Sequence, residues 1–488
     1  MICRRAHPSS KLRQVTEHPT FTRAVELHRH GDIGSAERLY REILRERPRH
    51  AGALHLLGVI HLQRGELAAA LAACDASLAA NPANAAAHQT RGDALHDLKR
   101  HVEAVAAYDR CLALDPDCFI AWSNRGSCLL RSRRFEEAVA SYERALALQG
   151  QGGSRTPPRW LANPYLNRGA ALQELGRFDA ALESFDRAIA LDPALAAAHA
   201  NRGCTLDCLR RPQEALASCE RALALQPDYA AAHLNRAIAL LRLGRYPEGW
   251  AEYEWRWRNT ESALCRDRRP RAAPLWLGRE PLAGKTLLLH AEQGYGDTLQ
   301  FCRYARLACE RGARVLLEVH PALKGVLSRL EGVSQVVSRE EPTSDVDFHC
   351  PLMSLPLAFG TTLETIPSGE RYLAAEPQRV ERWRARLGER RGFRVGLVWS
   401  GGLRPDEPEY WSANARRNIE LQRLRELAHP RIEYVSLQKG QPAEAEPQEL
   451  RRRGWSGPRL AEWPRELSDF AETAALIENL DLVVSVDT

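Results

Sequence analysis

Residues 117–150 read DCFIAWSNRGSCLLRSRRFEEAVASYERALALQG, and variants of this stretch recur on both sides of it. The segments RERP, AANP and ALDP put prolines at 48, 82 and 116, each 34 residues from the last. ALDP and ALQP repeat the mark at 193 and 227, again 34 apart. The longer gap from 116 to 193 holds two repeats plus nine residues, which fall in QGQGGSRTPPRW near 150–161. Within each repeat Gly58, Gly92, Gly126, Gly169 and Gly203 share one register, where two helices can approach closely. Ala36, Ala70, Ala104, Ala138, Ala181 and Ala215 share another. A bulkier residue follows four positions later: Tyr40, Cys74, Tyr108, Tyr142, Phe185 and Cys219. Small-then-bulky spacing at i, i+4 builds one helix face that nests against a neighbour.

A 34-residue period of two amphipathic helices closed by proline resembles the tetratricopeptide repeat. Seven repeats are expected over 17–258, stacked into an α superhelix with a concave face. Asn124, Asn167, Asn201 and Asn235 share a register in SNRG, LNRG, ANRG and LNRA. Asparagine is a poor helix former, and an amide offers a donor and an acceptor to a peptide backbone. The row resembles the asparagine ladder of O-GlcNAc transferase, which implies a protein or peptide in the groove. The alternative is that these amides pack or cap adjacent repeats. The Arg after each Asn reads as a solvated or ion-paired face. In GRYPEGWAEYEWRW, 244–257, Trp250, Tyr253 and Trp257 fall on one helix face, suited to cap the array or bind it to the next domain.

After a linker, 259–282, strands and helices alternate, which points to parallel α/β structure. KTLLLHA, ARVLLEV, VSQVVS and DVDFHCP read as strands of a first unit, 283–375, with a helix over 297–311. PQRVERWRARLGER reads as a bridging helix in 376–391. FRVGLVWSGG, RIEYVSLQKG and DLVVSVDT read as strands of a second unit, 392–488, with ELQRLRELA and DFAETAALIENL as helices.

GYGDTLQFCRYA, LVWSGG, ANARRNIEL, VSLQKG and DLVVSVDT resemble successive motifs of glycosyltransferase family nine, the heptosyltransferases, over 283–488. The whole chain is similar to bacterial proteins fusing a tetratricopeptide array to such a domain. The resemblance implies a GT-B fold of two Rossmann-like domains and an inverting, metal-independent transfer from a nucleotide-sugar donor, with no cofactor. It makes Asp297 the general base, with Gln293, Gly294 and Gly296 in the acceptor-side loop. It assigns the donor to Ser400, Gly401, Gly402, Arg416, Arg417, Gln438, Lys439, Asp487 and Thr488. Arginine suits phosphate because its planar fork binds oxygens in pairs. The family pattern has Asp where this chain has Asn414 and Ser where it has Asn418. Asp297 also reads as a plain helix start, since D-x-x-Q with Gln300 spells a capping box. The family motif would continue past Thr488, so an exposed sheet edge, an incomplete donor site and a crippled transferase are expected.

Two further readings stand beside this one. One is a protein O-GlcNAc or O-fucose transferase; the other is a non-catalytic interaction scaffold with a degenerate α/β half. A net charge of +6 on 488 residues, without a dense basic run, argues against nucleic acid. No run of about 18 apolar residues calls for a membrane span. The twelve cysteines show no metal-type spacing, and with no apolar leader at the start a cytoplasmic protein with reduced thiols is expected.

Overall fold

The computed structural model describes residues 19–150, 158–259, 269–341, 346–368, 371–401 and 417–486. The chain divides into two compact units, one ending at Pro227 and the other beginning at Asp228.

The first unit is a run of antiparallel helix pairs. α1 (Pro19–Arg29) pairs with α2 (Ile33–Glu46), and α3 (Ala51–Gln63) with α4 (Leu67–Ala80). α5 (Ala85–Asp97) pairs with α6 (His101–Leu114), and α7 (Phe119–Arg131) with α8 (Phe135–Gly150). α9 (Ala162–Glu174) pairs with α10 (Phe178–Leu191), and α11 (Ala196–Cys208) with α12 (Pro212–Leu225). The small and bulky registers meet as the spacing predicts. The six alanines and the six bulky residues from Tyr40 to Cys219 are all fully buried. A Cβ at Gly92 would come within 2.6 Å of the Tyr108 ring, and one at Gly169 within 2.6 Å of the Phe185 ring. The turn between paired helices needs one left-handed residue. Gly31, Gly65, Gly176 and Gly244 supply it at no steric cost, but Lys99, Arg133 and Arg210 hold the same conformation with φ near 60°.

The second unit opens with a seventh pair, α13 (Ala230–Arg242) and α14 (Tyr246–Tyr253), followed by a 3-10 turn, Glu254–Arg258. The expected array end at 258 therefore does not coincide with the compact boundary. The physical reason lies in α14: Trp250 and Tyr253 pack against the core of the first sheet, with the Trp250 ring edge-on to Phe301, centroids 5.8 Å apart.

That sheet is four-stranded and parallel, in the order β3-β2-β1-β4. Its strands are β1 (Thr286–His290), β2 (Arg314–Val319), β3 (Gln335–Ser338) and β4 (Phe348–Pro351). Apolar runs such as Leu287, Leu288 and Leu289 are buried on both faces, as parallel strands require. The single helix expected over 297–311 is two short ones, α15 (Tyr295–Phe301) and α16 (Ala305–Glu310), split by a 3-10 turn. The break lets Phe301, Cys302 and Tyr304 all reach the core.

A second parallel sheet has the order β7-β6-β5-β8. It comprises β5 (Phe393–Val398), β6 (Ile432–Ser436), β7 (Leu460–Ala461) and β8 (Leu482–Ser485). α17 (Pro321–Leu327) and α18 (Leu355–Ala358) belong with the first sheet; α19 (Pro377–Leu387), α20 (Glu446–Arg452) and α21 (Phe470–Ile477) belong with the second. ELQRLRELA forms only a 3-10 turn, Leu421–Leu427. β8 sits at the edge of the described sheet with Leu482, Val483 and Val484 exposed. Among the described residues no helix is long and apolar enough to cross a membrane.

Candidate functional site

β1 and β4 are neighbours although β2 and β3 intervene in sequence, so the chain reverses its order there. The crevice beyond the carboxyl ends of strands at such a point is where open α/β sheets bind ligands. The residues leaving β1 are Ala291, Glu292, Gln293 and Gly294; those leaving β4 are Leu352, Met353 and Ser354. The crevice is already occupied. Arg256, from the turn after α14, enters it and is 1% exposed.

Its Nη2 lies 3.0 Å from Glu292 Oε1 and donates to Ser354 Oγ at 2.7 Å. Its Nη1 donates to Glu254 Oε1 at 2.6 Å. Glu292 also accepts the Met353 N–H at 3.1 Å, and Ser354 Oγ donates to Glu254. One guanidinium thus sits between two carboxylates. Burial pushes the Glu292 carboxyl up to about 7, against the opposing pull of Arg256. Gln293 donates to the Tyr253 hydroxyl at 2.7 Å. The sequence motifs YEWRW and EQG therefore form one assembly. Each is visible in the sequence; that they meet is not, because nothing local ties residue 256 to 292.

Asp297 does not begin its helix. Gly294 is the N-cap, in an extended conformation, and Asp297 stands at the third helical position. Its Oδ2 accepts the Gly294 N–H at 3.1 Å. A glycine cap has no side chain to offer, so the acid three residues on closes the turn. The box with Gln300 is thereby corrected. Tyr295 and Gly296 are exposed, and the Tyr295 ring meets Phe470 of α21 edge-on, centroids 5.3 Å apart.

Beside the crevice is a cavity of about 70 Å³ lined by His290, His349, Arg271, Glu318 and Arg339, among others. Known small-molecule sites run from about 300 to 1,000 Å³, so this one is too small for a nucleotide sugar. Two of its charges, Arg271 and Glu318, offset each other. Arg271 forks onto Glu318 at 2.6 and 3.0 Å, and Arg339 donates to the Ala291 carbonyl. His290 Nε2 and His349 Nδ1 lie 3.1 Å apart. Burial and then Arg271 hold His290 well below the usual histidine range, hence neutral.

On the second sheet Gln438 is 4% exposed, and backbone engages its whole amide. Its Oε1 accepts from Trp399 N and Ser400 N; its Nε2 donates to the Ser400 and Lys439 carbonyls. Lys439 donates to the Pro464 carbonyl at 2.6 Å. Gly401 N donates to Asn418 Oδ1 at 2.8 Å, which gives that departure from the family pattern a structural use. Arg417 is exposed. Gly402, Asn414, Arg416, Asp487 and Thr488 lie outside the described residues.

In the array, Asn124 donates to Asp93 of the preceding pair at 2.8 Å, and the Tyr108 hydroxyl donates to the same oxygen. Asn167 hydrogen-bonds Tyr142. Those two amides join neighbouring pairs. Asn201 and Asn235 are likewise half-buried, Asn235 belonging to the second unit. Of the arginines that follow these amides, three are ion-paired across pairs, Arg125 with Asp109, Arg168 with Glu143 and Arg202 with Asp186, at 2.6–2.8 Å, and Arg236 is paired with Glu252 of its own helix pair at 2.7 Å. A cleft of about 370 Å³ opens along α8, α9 and α10, lined by Leu146, Ala147, Tyr165, Arg168, Glu183 and Arg187 with two others.

Models of the tetratricopeptide repeat match residues 21–85, 85–118, 117–194 and 203–254. These helix pairs are tetratricopeptide repeats. Protein FlbA of Caulobacter vibrioides is 29% identical over 178 residues, which are 33% of this chain and 29% of FlbA. The chain thus spans under a third of that relative's length. Among solved structures, YrrB, described as a TPR protein with an unusual peptide-binding site, is 22% identical over 40% of this chain and 95% of its own, with a TM-score of 0.35. PilW, a type IV pilus biogenesis factor, is 20% identical over 44% and 94%, with a TM-score of 0.38. MamA of Desulfovibrio magneticus RS-1 is 21% identical over 37% and 96%, with a TM-score of 0.33.

Proposed function

We propose that the chain is a protein-interaction scaffold whose tetratricopeptide array holds an extended segment of a partner protein. The observation that carries this reading is the cleft beside Tyr165. Its volume falls in the range of known ligand sites. It sets an aromatic ring and aliphatic surface from Leu146 and Ala147 among side chains of both signs, a lining that suits a peptide of mixed charge. The α/β half, by contrast, has turned its polar groups inward: Arg256 fills the first crevice and Gln438 is wholly bonded to backbone.

Panning a displayed peptide library on the full chain tests this. Selected peptides should bind Tyr165→Ala/Arg187→Ala at least tenfold more weakly. Peptides indifferent to that variant, or none selected, sink the reading.

The second reading is glycosyl transfer, of the family-nine type or to protein hydroxyls as in O-GlcNAc and O-fucose transferases. Two successive parallel sheets and the Gly294–Asp297 turn favour it. In it Asp297 takes the proton from the acceptor hydroxyl, and Ser400, Gly401, Arg416 and Arg417 would bind the diphosphate. A panel of nucleoside-diphosphate sugars decides. Turnover by the full chain that Asp297→Asn abolishes at unchanged melting temperature establishes transfer; absence of turnover in both removes it.

A further inference from the structure

His96 lies in the last turn of α5, His101 begins α6, and Cys128 lies in the third turn of α7. The turn between α5 and α6 folds the two histidines together, with ring centroids 5.5 Å apart. The next pair brings up the thiol. One ligand atom from each of the three lies within 4.8 Å of the others. Cys128 is fully buried. His101 Nδ1 is also buried and has no hydrogen-bond partner among the described residues. A buried polar atom without a partner is costly and calls for an explanation.

The repeat supplies its own comparison. Where His96 stands, the other pairs have His28, Leu62, Leu130, Gln173, Asp207 and Leu241; where His101 stands, they have Ile33, Leu67, Phe135, Phe178, Pro212 and Tyr246. At the Cys128 position they have Glu26, Ile60, Ala94, Ala171, Thr205 and Ala239. The repeat fold therefore needs neither imidazole nor thiol at these places, yet this one junction collects all three. Two imidazoles and a thiolate are ligands that a borderline-soft divalent cation takes, and three protein ligands leave a fourth position for water. The Asp97 carboxylate, 3.7 Å from His96 Nδ1, adds negative charge at the rim.

We propose that His96, His101 and Cys128 bind one Zn²⁺, which clips the α5–α6 turn to α7 across two repeats. The positive charges of Lys99 and Arg131 lie near His101 and weaken the hold on any cation, so the ligand atoms themselves must supply the affinity. The site depends on neither functional reading above.

The test uses the full chain, stripped with chelator. Calorimetric titration should find one Zn²⁺ bound at micromolar metal and a raised melting temperature. Co²⁺ should give a thiolate charge-transfer band. His101→Phe and His96→Leu install residues found at the same register elsewhere, so both should fold with the metal-free melting temperature of the parent. Each should bind Zn²⁺ at least tenfold more weakly, and Cys128→Ala should lose the Co²⁺ band. Zinc binding that survives unchanged in His101→Phe, through other thiols, overturns the proposal. So does a parent chain that takes up no zinc at micromolar concentration.

Discussion

Arg256 reaches Glu292 across 36 residues of chain, Nη2 to Oε1 at 3.0 Å, with side-chain exposures of 1% and 5%. This contact joins the end of the last helix pair to the mouth of the first sheet. A buried ion pair is weak evidence of net stabilisation, but removing one partner strands the other charge. Arg256→Met should therefore cost about 3–5 kcal/mol of unfolding free energy. Arg256→Met/Glu292→Gln should cost clearly less than the two single changes together. Urea denaturation followed by tryptophan fluorescence measures both; strict additivity refutes the coupling.

Glu292 also sets a pH dependence. Its folded carboxyl titrates at about 7, above the ordinary value of 4.5. The folded state thus holds a proton that the unfolded chain releases. This contribution is fully present below about pH 4.5 and is lost as pH rises through 7. From this rise above the ordinary value it amounts to roughly 3 kcal/mol. Buried histidines such as His290 act with the opposite sign, so the quantity to measure is the difference between parent and Glu292→Gln. That difference should change between pH 5 and 8; a flat difference refutes the assignment.

The three left-handed basic residues offer a stabilising test. Lys99→Gly, Arg133→Gly and Arg210→Gly relieve φ values near 60°. Each should raise stability by about 0.5–1 kcal/mol, less the entropy glycine adds to the unfolded chain. Thermal unfolding of the triple variant reads the sum, and a lowered melting temperature contradicts the prediction.

The glycine–aromatic contacts should be intolerant in one direction. Gly169→Ala drives a methyl into the Phe185 ring, 2.6 Å away, and should cost about 1–3 kcal/mol by overpacking. Phe185→Leu in the same chain should recover part of that loss, as measured by denaturant midpoint.

Gln438 should behave as a structural residue. Gln438→Leu leaves the Trp399 and Ser400 N–H groups without their acceptor, at a cost of about 1–3 kcal/mol. A variant of unchanged stability that loses nucleotide-sugar binding would instead favour the donor role.

The array was legible in the sequence because its order is local. Each 34-residue unit repeats the same contacts, so the glycine and bulky registers could be read from spacing, and the structure pairs them, Gly92 against Tyr108 and Gly169 against Phe185. The strands were legible as apolar runs, from Leu287 to Val484. The two-residue strand β7 and the helix α20 were not, since neither carries a long periodic pattern. The helix expected over 297–311 broke because three core side chains, Phe301, Cys302 and Tyr304, had to be buried at once.

The sequence by itself determined the helix pairs, their turns and the parallel character of both sheets, since these follow from periodicity and near-neighbour contacts. Only the tertiary structure decided what the polar residues do. It moved Asp297 from the head of its helix to the third position, tied Gln438 to backbone, and set Asn124 on Asp93. It also brought Arg256 to Glu292 and His101 to Cys128. Hydrogen bonds and ion pairs act over a few ångströms between groups far apart in sequence, and no period in the chain encodes which of them will meet.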